Sequence, residues 1–233
     1  MKYFVFSMLC LGSLSGIRAQ NPTYPPRDES LNDVSLQAFV AQLEKAIQDR
    51  DQKFLYTALD LDVERGVSAG DILRDFKTEW DTDNDSSAFW LQLDRVIQMG
   101  GVFLHDTADM TGRYQFVFPY VYDMPLDIED DYYSIGVITG KKVNLREGPK
   151  TASPVRVQLT YDVVWYLQEE QYGKTQSGTS PLGGTEWFMV ETYDRQQRGW
   201  VNWRYVYSPM DFRVFLYKNK QGTWRISNIL AGD

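Results

Sequence analysis

Val143-Asn144-Leu145-Arg146-Glu147-Gly148-Pro149 is the stretch whose reading decides the fold. Val143 and Leu145 alternate with Asn144 and Arg146, the two-residue period of a strand with one buried face. Gly148-Pro149 supplies the turn that ends it. Further on, Gly199-Trp200-Val201-Asn202-Trp203-Arg204-Tyr205-Val206 resumes the pattern, with Gly199 letting the backbone turn sharply before Trp200. Around these two pieces the alternation predicts strands over Ile135–Ile138, Lys142–Leu145, Val155–Leu159, Asp162–Leu167, Trp187–Thr192 and Trp200–Val206. Gly136 inside the first points to a bulge or a close backbone approach. Glu169 to Thr185 is a long polar loop rich in Gly, Ser and Thr.

Val143–Pro149, then Ser153-Pro154-Val155, then Gly199-Trp200-Val201 resemble, in order and spacing, the signature of bacterial SH3-like domains. The resemblance implies a small β-barrel over residues 134–207 that binds rather than catalyses, with a cell-wall peptide or glycan as its ligand. The tail, Ser208-Pro209 through Asp211-Phe212-Arg213 and Gly222-x-Trp224-x-Ile226 to Ala231-Gly232-Asp233, is similar to the C-termini of secreted bacterial proteins that carry such a domain. The 169–185 loop departs from the family pattern.

The rest of the chain predicts an α+β host. Leu36, Phe39, Val40, Leu43 and Ile47 form one helical stripe behind a cap at Asn32 or Asp33. A short helix follows over about Asp51 to Asp60. Ser68-x-x-Asp71 opens a third, with Ile72, Leu73, Phe76 and Trp80 inward. A fourth follows Ser86-Ser87, carries Phe89, Trp90, Leu93 and Ile97, and ends at Gly100-Gly101. Val102–His105 and Arg113–Tyr122 read as strands, the second an edge or bulged strand because of Pro119. Asp123–Tyr133 is an acidic connector. Phe212–Tyr217 and Thr223–Ile229 alternate around Lys218–Gly222 and form a hairpin, which alone is marginal in water. The hairpin is therefore expected to return and pair with residues 102–122. The predicted organisation is a signal peptide (1–19), a flexible tail (20–31), an α+β domain (32–133 plus 208–233) completed by its C-terminal β-hairpin, and an inserted SH3-like β-barrel (134–207).

The first nineteen residues have a basic start, an apolar run from Phe4 to Leu14 and a small residue at Ala19. That is a secretory signal pattern, and it places the mature protein in the periplasm or outside the cell. The run is too short to span a bilayer. Cys10, the single cysteine, lies inside the run and without the small residues of a lipidation site before it. Cleavage after Ala19 leaves no thiol, so disulfides, thiolate metal sites and cysteine nucleophiles fall together. The chain carries 24 basic and 32 acidic residues, a net −8, and loss of Lys2 and Arg18 takes it to −10. That balance disfavours nucleic acid and anionic membrane surfaces as partners.

The candidates for chemistry are few. Asp81-x-Asp83-x-Asp85 resembles the start of a calcium loop, but Ser86 and Gln92 stand where its Gly and Glu belong. Asp127, Glu129, Asp130 and Asp131 crowd one linker rather than face each other across a cleft. His105 is the sole histidine, with no serine elbow to serve. The residues call for no metal and no cofactor.

Aromatics are the richer signal. Tyr161, Trp165, Tyr166, Trp187, Trp203 and Tyr205, with Arg146 and its companion Arg204, are the candidate ligand-binding set. Strand alternation puts Trp203 and Tyr205 on one face and Trp200 on the other. The expected function is a secreted, non-enzymatic envelope protein whose module binds a cell-wall (peptidoglycan) peptide or glycan through these side chains. The alternatives are an adaptor that grips another envelope protein and a hydrolase that uses carboxylates alone.

Overall fold

The computed structural model describes residues 21–61, 68–105, 112–113, 115–125, 133–169, 173–174, 176–177 and 186–232. The signal segment, Tyr114, the acidic residues 127–131 and most of the 169–185 loop lie outside them.

Helix α1, Val34–Asp49, begins at Asp33, whose carboxylate accepts hydrogen bonds from the backbone N–H groups of Ser35 (2.7 Å) and Leu36 (2.9 Å). It buries Leu36, Val40, Leu43 and Ile47 along one stripe. Helices α2 (Gln52–Ala58), α3 (Ala69–Trp80) and α4 (Ala88–Gln98) are capped in the same way by Asp51, Ser68 and Ser87. α4 lies in the core, whereas α3 fully buries no residue. Ile72 and Leu73 are only half-buried. Phe76 and Trp80 meet the rim of the core at Phe89, with ring centroids 5.8 Å away in each case. No helix among the described residues is long and apolar enough to cross a membrane.

Two antiparallel sheets complete an α+β architecture. The first joins β1 (Val102–Phe103), β2 (Phe116–Phe118), β11 (Arg213–Lys218) and β12 (Trp224–Leu230) in that order. The tail hairpin thus lies beside β2, with Phe215 opposite Val117. The expectation of an edge strand over 113–122 needs correction. The strand is three residues long and sits between β1 and β11. Pro119 stands just past its last residue, where a missing N–H costs no ladder bond.

The second sheet uses β3 (Ile135–Ile138), β4 (Val143–Arg146), β5 (Val155–Leu159), β6 (Val163–Tyr166), β7 (Gln176–Ser177), β8 (Trp187–Thr192), β9 (Arg198–Asn202) and β10 (Val206–Tyr207). Its order is β10-β3-β6-β8-β9-β4-β5, with β7 also on β8. All its strands fall in sequence between the paired strands β2 and β11. The sheet curls until residues from both ends, Val206 and Ile138 at one and Leu145 and Leu159 at the other, share a small core. It does not close: among the described residues no ladder joins β5 to β10. The closed barrel expected from the sequence is therefore an open, curled sheet.

Its other face belongs to the larger core. Ile135, Val137, Val163 and Tyr207 pack with Trp90, Leu93, Phe118 and Phe212, while Ile138, Val164 and Val206 point to the small core. Two glycines permit close contacts. A Cβ on Gly136 would sit 2.7 Å from the Tyr166 ring, and one on Gly199 would sit 2.5 Å from the Arg146 carbonyl oxygen. Gly199 is thus needed for the approach of β9 to β4, inside a strand rather than at a turn.

The segment before α1 is also a correction. Its Pro-rich composition predicts a free tail, yet residues 21–24 run along the second sheet, and Glu29 reaches β1 of the first, where its carboxylate accepts from Phe103 N–H (2.9 Å). Tyr24 N–H donates to the Tyr161 carbonyl (2.7 Å), Val163 N–H donates to that of Pro22 (2.9 Å), and Asp194 N–H donates to the Asn21 side chain (2.9 Å). Tyr24 stacks on Tyr120 at 5.5 Å, and Arg27 pairs with Asp123 at 2.9 Å. Proline lacks a donor but keeps its carbonyl, so Pro22 can still accept.

The Asp33 cap gives a direct test. The Ser35 hydroxyl, then the Leu36 N–H, hold its carboxyl down from 3.8 to about 2. The folded pKa lies below the unfolded one, so the contribution is present above pH 3.8 and is lost as pH falls through about 2. Asp33→Ala is expected to cost about 1 kcal/mol near neutral pH. In denaturant titrations the gap from wild type should narrow between pH 4 and pH 2; a gap that stays constant would show that the cap does not act through the charged carboxylate.

Candidate functional site

Asn202 ends strand β9 in a way that alternation does not foresee. Its side-chain oxygen accepts from Arg204 N–H (3.2 Å), and the chain turns into a 3-10 helix over Trp203–Tyr205 before β10 resumes at Val206. Such side-chain to backbone bonds compete with strand pairing. Strand alternation therefore does not relate Trp203 to Tyr205. The turn is fixed at both ends: Trp203 N–H donates to the Glu186 carbonyl (2.9 Å), and the Tyr205 carbonyl accepts from Thr139 N–H (3.0 Å).

This turn, the Gly140-Lys141-Lys142 turn and strand β4 enclose a cleft of about 560 Å³. Trp187, almost wholly buried, and Val143 line its depth, and Trp203 and Tyr205 stand beside them. Tyr205 is 49% exposed. Lys141, Lys142, Arg146 and Arg204 bring four cations to the cleft, and Glu186 brings a carboxylate. Arg146 donates to the Ser153 carbonyl (2.8 Å), which pins the loop that follows Gly148-Pro149. Lys142 has left-handed backbone (φ 53°), and its N–H donates to the Thr160 hydroxyl (2.9 Å), so the lysine turn is held as well.

Of the candidate residues, the fold brings Arg146, Trp187, Trp203, Arg204 and Tyr205 together. Tyr161 sits at the margin, with the Lys141 ammonium 6.0 Å from its ring centroid, and its carbonyl receives the Tyr24 N–H. Trp165 is elsewhere, against the larger core, stacked on Tyr193 at 5.5 Å with the Arg195 guanidinium 4.9 Å from its centroid. Tyr166 packs edge-on against Phe188 and lines a second cleft of about 720 Å³ with Leu167, Gln168, Met210 and Asp211. Burial raises the Tyr166 and Asp211 pKa values. Asp211 is exposed along that cleft, but protein surrounds its carboxyl, and desolvation outweighs the Ser208 N–H (2.9 Å) and the nearby Arg95 and Arg213 charges.

The residue that sequence reasoning missed is Arg95. It projects from α4, and its guanidinium lies 4.6 Å from the ring centroids of both Trp203 and Tyr207. It donates to the carbonyls of Trp203 (2.7 Å) and Val206 (3.1 Å). Burial lowers its pKa, yet an arginine stays charged. The host helix thus grips the cleft-forming turn from behind. The partners are more than a hundred positions away in sequence, so helical periodicity carries no sign of the contact.

Asp81, Asp83, Asp85 and His105 line neither of these clefts, and Asp127, Glu129, Asp130 and Asp131 lie outside the described residues. Asp83 accepts from Tyr56 and Lys77, and Asp81 accepts from Asn84 (2.8 Å). His105 is exposed beyond β1. Among the described residues no group of His, Cys, Asp or Glu is placed to hold a metal ion. No family model, curated protein or solved structure matches the chain.

Arg95→Ala removes two cation–aromatic contacts and two charged hydrogen bonds. The expected cost is about 2 kcal/mol in chemical denaturation. Amide exchange over residues 203–207 should rise more than exchange in α1. Arg95→Lys, which keeps charge but not the fork, should fall between. Stability and exchange equal to wild type in Arg95→Ala would remove this role.

Proposed function

We propose that this is a secreted, non-enzymatic protein of the bacterial cell envelope. Its SH3-like module, residues 134–207, sits inside an α+β host and recognises a cell-wall peptide or glycan in the cleft between the two turns. Tyr205, half-exposed beside Trp203 and four cations, is the observation that carries this reading. An exposed ring with a polar surround suits stacking on a sugar face or a peptide bond, and the cations suit the carboxylates of a wall peptide. The signal pattern and the sequence resemblance supply the compartment and the ligand class.

An adaptor for another envelope protein is the second reading. Strand β5 is an end strand of its sheet, and Val155 on it is 46% exposed. Such an edge can accept an added strand from a partner polypeptide.

The mature protein should co-sediment with purified wall sacculi. Tyr205→Ala should weaken that binding roughly fivefold, about 1 kcal/mol, while Trp165→Ala, remote from the cleft, should bind as wild type. Absence of co-sedimentation, or equal binding by Tyr205→Ala, would eliminate the cleft as a wall-binding site.

A further inference from the structure

We infer that the cleft takes an anionic polymer, a chain bearing repeated carboxylates or phosphodiesters, in preference to a neutral glycan. The inference rests on reading the cleft as the binding site and specifies its ligand. Four cations line it against the single carboxylate of Glu186, in a chain where acids outnumber bases 32 to 24. Composition alone would make such a wall acidic.

The cations are available. Among the described residues none of Lys141, Lys142, Arg146 and Arg204 forms an ion pair, whereas Lys45, Arg74, Lys77 and Arg195 each do. Three of them are held in place. Lys142 is tied to Thr160, Arg204 to Asn202, and the Arg146 guanidinium keeps donors beyond the one given to Ser153. Arg95 adds a fifth charge from behind Trp203, where it meets backbone carbonyls. Tyr205 lies among these charges as an apolar contact for the polymer backbone.

Each exposed cation contributes little singly, but a polymer engages several at once. A neutral glycan could stack on Tyr205 and would leave all four cations in water. The two ligands therefore differ in salt dependence as well as in affinity, because exposed charge interactions are screened within about 8 Å at physiological ionic strength.

The test uses the mature protein with poly-L-glutamate and inorganic polyphosphate as anionic probes, and dextran and chitin oligosaccharide as neutral ones. Binding to at least one anionic probe is expected, tighter than to either neutral probe by about tenfold and weakened about tenfold as salt is raised above physiological ionic strength. Lys142→Glu/Arg204→Glu should reduce it by a further factor of roughly ten, with thermal stability retained because both side chains are exposed. Glu186→Gln should tighten it about twofold. Polyglutamate binding alone assigns carboxylates, polyphosphate binding alone assigns phosphodiesters, and binding of both supports repeated anions generally. Failure of both anionic probes, or neutral binding that is equal and indifferent to salt and to charge reversal, overturns the inference. Sacculi separate this from the broader reading. Sacculus binding indifferent to salt and to the double variant keeps the wall reading and removes the anionic ligand. Polyanion binding without sacculus binding does the reverse.

Discussion

Burial of the β10-β3-β6 part of the second sheet on both faces is the constraint on which the rest of the structure depends. All four residues of Ile135–Ile138 are buried. Successive side chains on a strand point to opposite faces. Ile135 and Val137 therefore enter the large core, and Ile138 enters the small one. Val163 and Val164 divide in the same way, as do Tyr207 and Val206. Each such residue contributes about 1.5–3 kcal/mol of burial, so detaching the sheet from the helices would expose several at once. The sheet has one way to sit. Its β4–β9 side and the two turns beside it are left at the surface, and there the cleft opens.

That fixed seating explains why Arg95 can act across the junction. A guanidinium held between two rings and two carbonyls needs both partners placed within a fraction of an ångström. α4 supplies the arginine from a core helix, and β10 supplies Tyr207 from a strand shared with the large core. The cleft-forming turn lies between these anchored elements. The N-terminal segment adds a third anchor by extending along β6 and carrying Tyr24 onto Tyr120. The site is built on rigid elements even though its aromatic residues sit on a turn.

Much of the fold was legible in the sequence because its elements obey simple periods. The α1 stripe, the caps at Asp33 and Ser68, the strands Val155–Leu159 and Trp187–Thr192 and the return of the tail hairpin to β2 all follow from spacing and from the need of a hairpin for partners. What was not legible depended on local competition or long-range contact. Asn202 replaces strand pairing by its own bond to Arg204, which breaks the alternation used to place Trp203 and Tyr205. Pro22 and Asn21 bond through acceptors that a composition argument does not count. Half of the cleft was visible as an aromatic pattern near Arg146. Arg146 and Arg204 were visible beside it, but Lys141 and Lys142 were not, because they are far from Trp203 and Tyr205 in sequence and meet them only through the curl of the sheet.

The remaining question is how an acidic chain can present a cationic cleft without cancelling it. Net charge acts at long range, and solvent ions screen it. At physiological ionic strength the field of a surface charge decays over about 8 Å, so distant acids contribute little inside the cleft, and the local cations set its potential. At low ionic strength the decay length grows to about 30 Å and the whole chain, at −8, begins to oppose an anionic ligand. The acidic surface then slows approach while the cleft still rewards contact. An anionic polymer large enough to be repelled by the body of the protein would be captured best at intermediate salt, where the body is screened and the cations within contact distance are not. A small anion, which meets only the cleft, would show a steady decline with salt. The shape of the salt dependence thus follows from one feature of the structure: four cations without an ion pair among the described residues, gathered at a single cleft on an acidic chain.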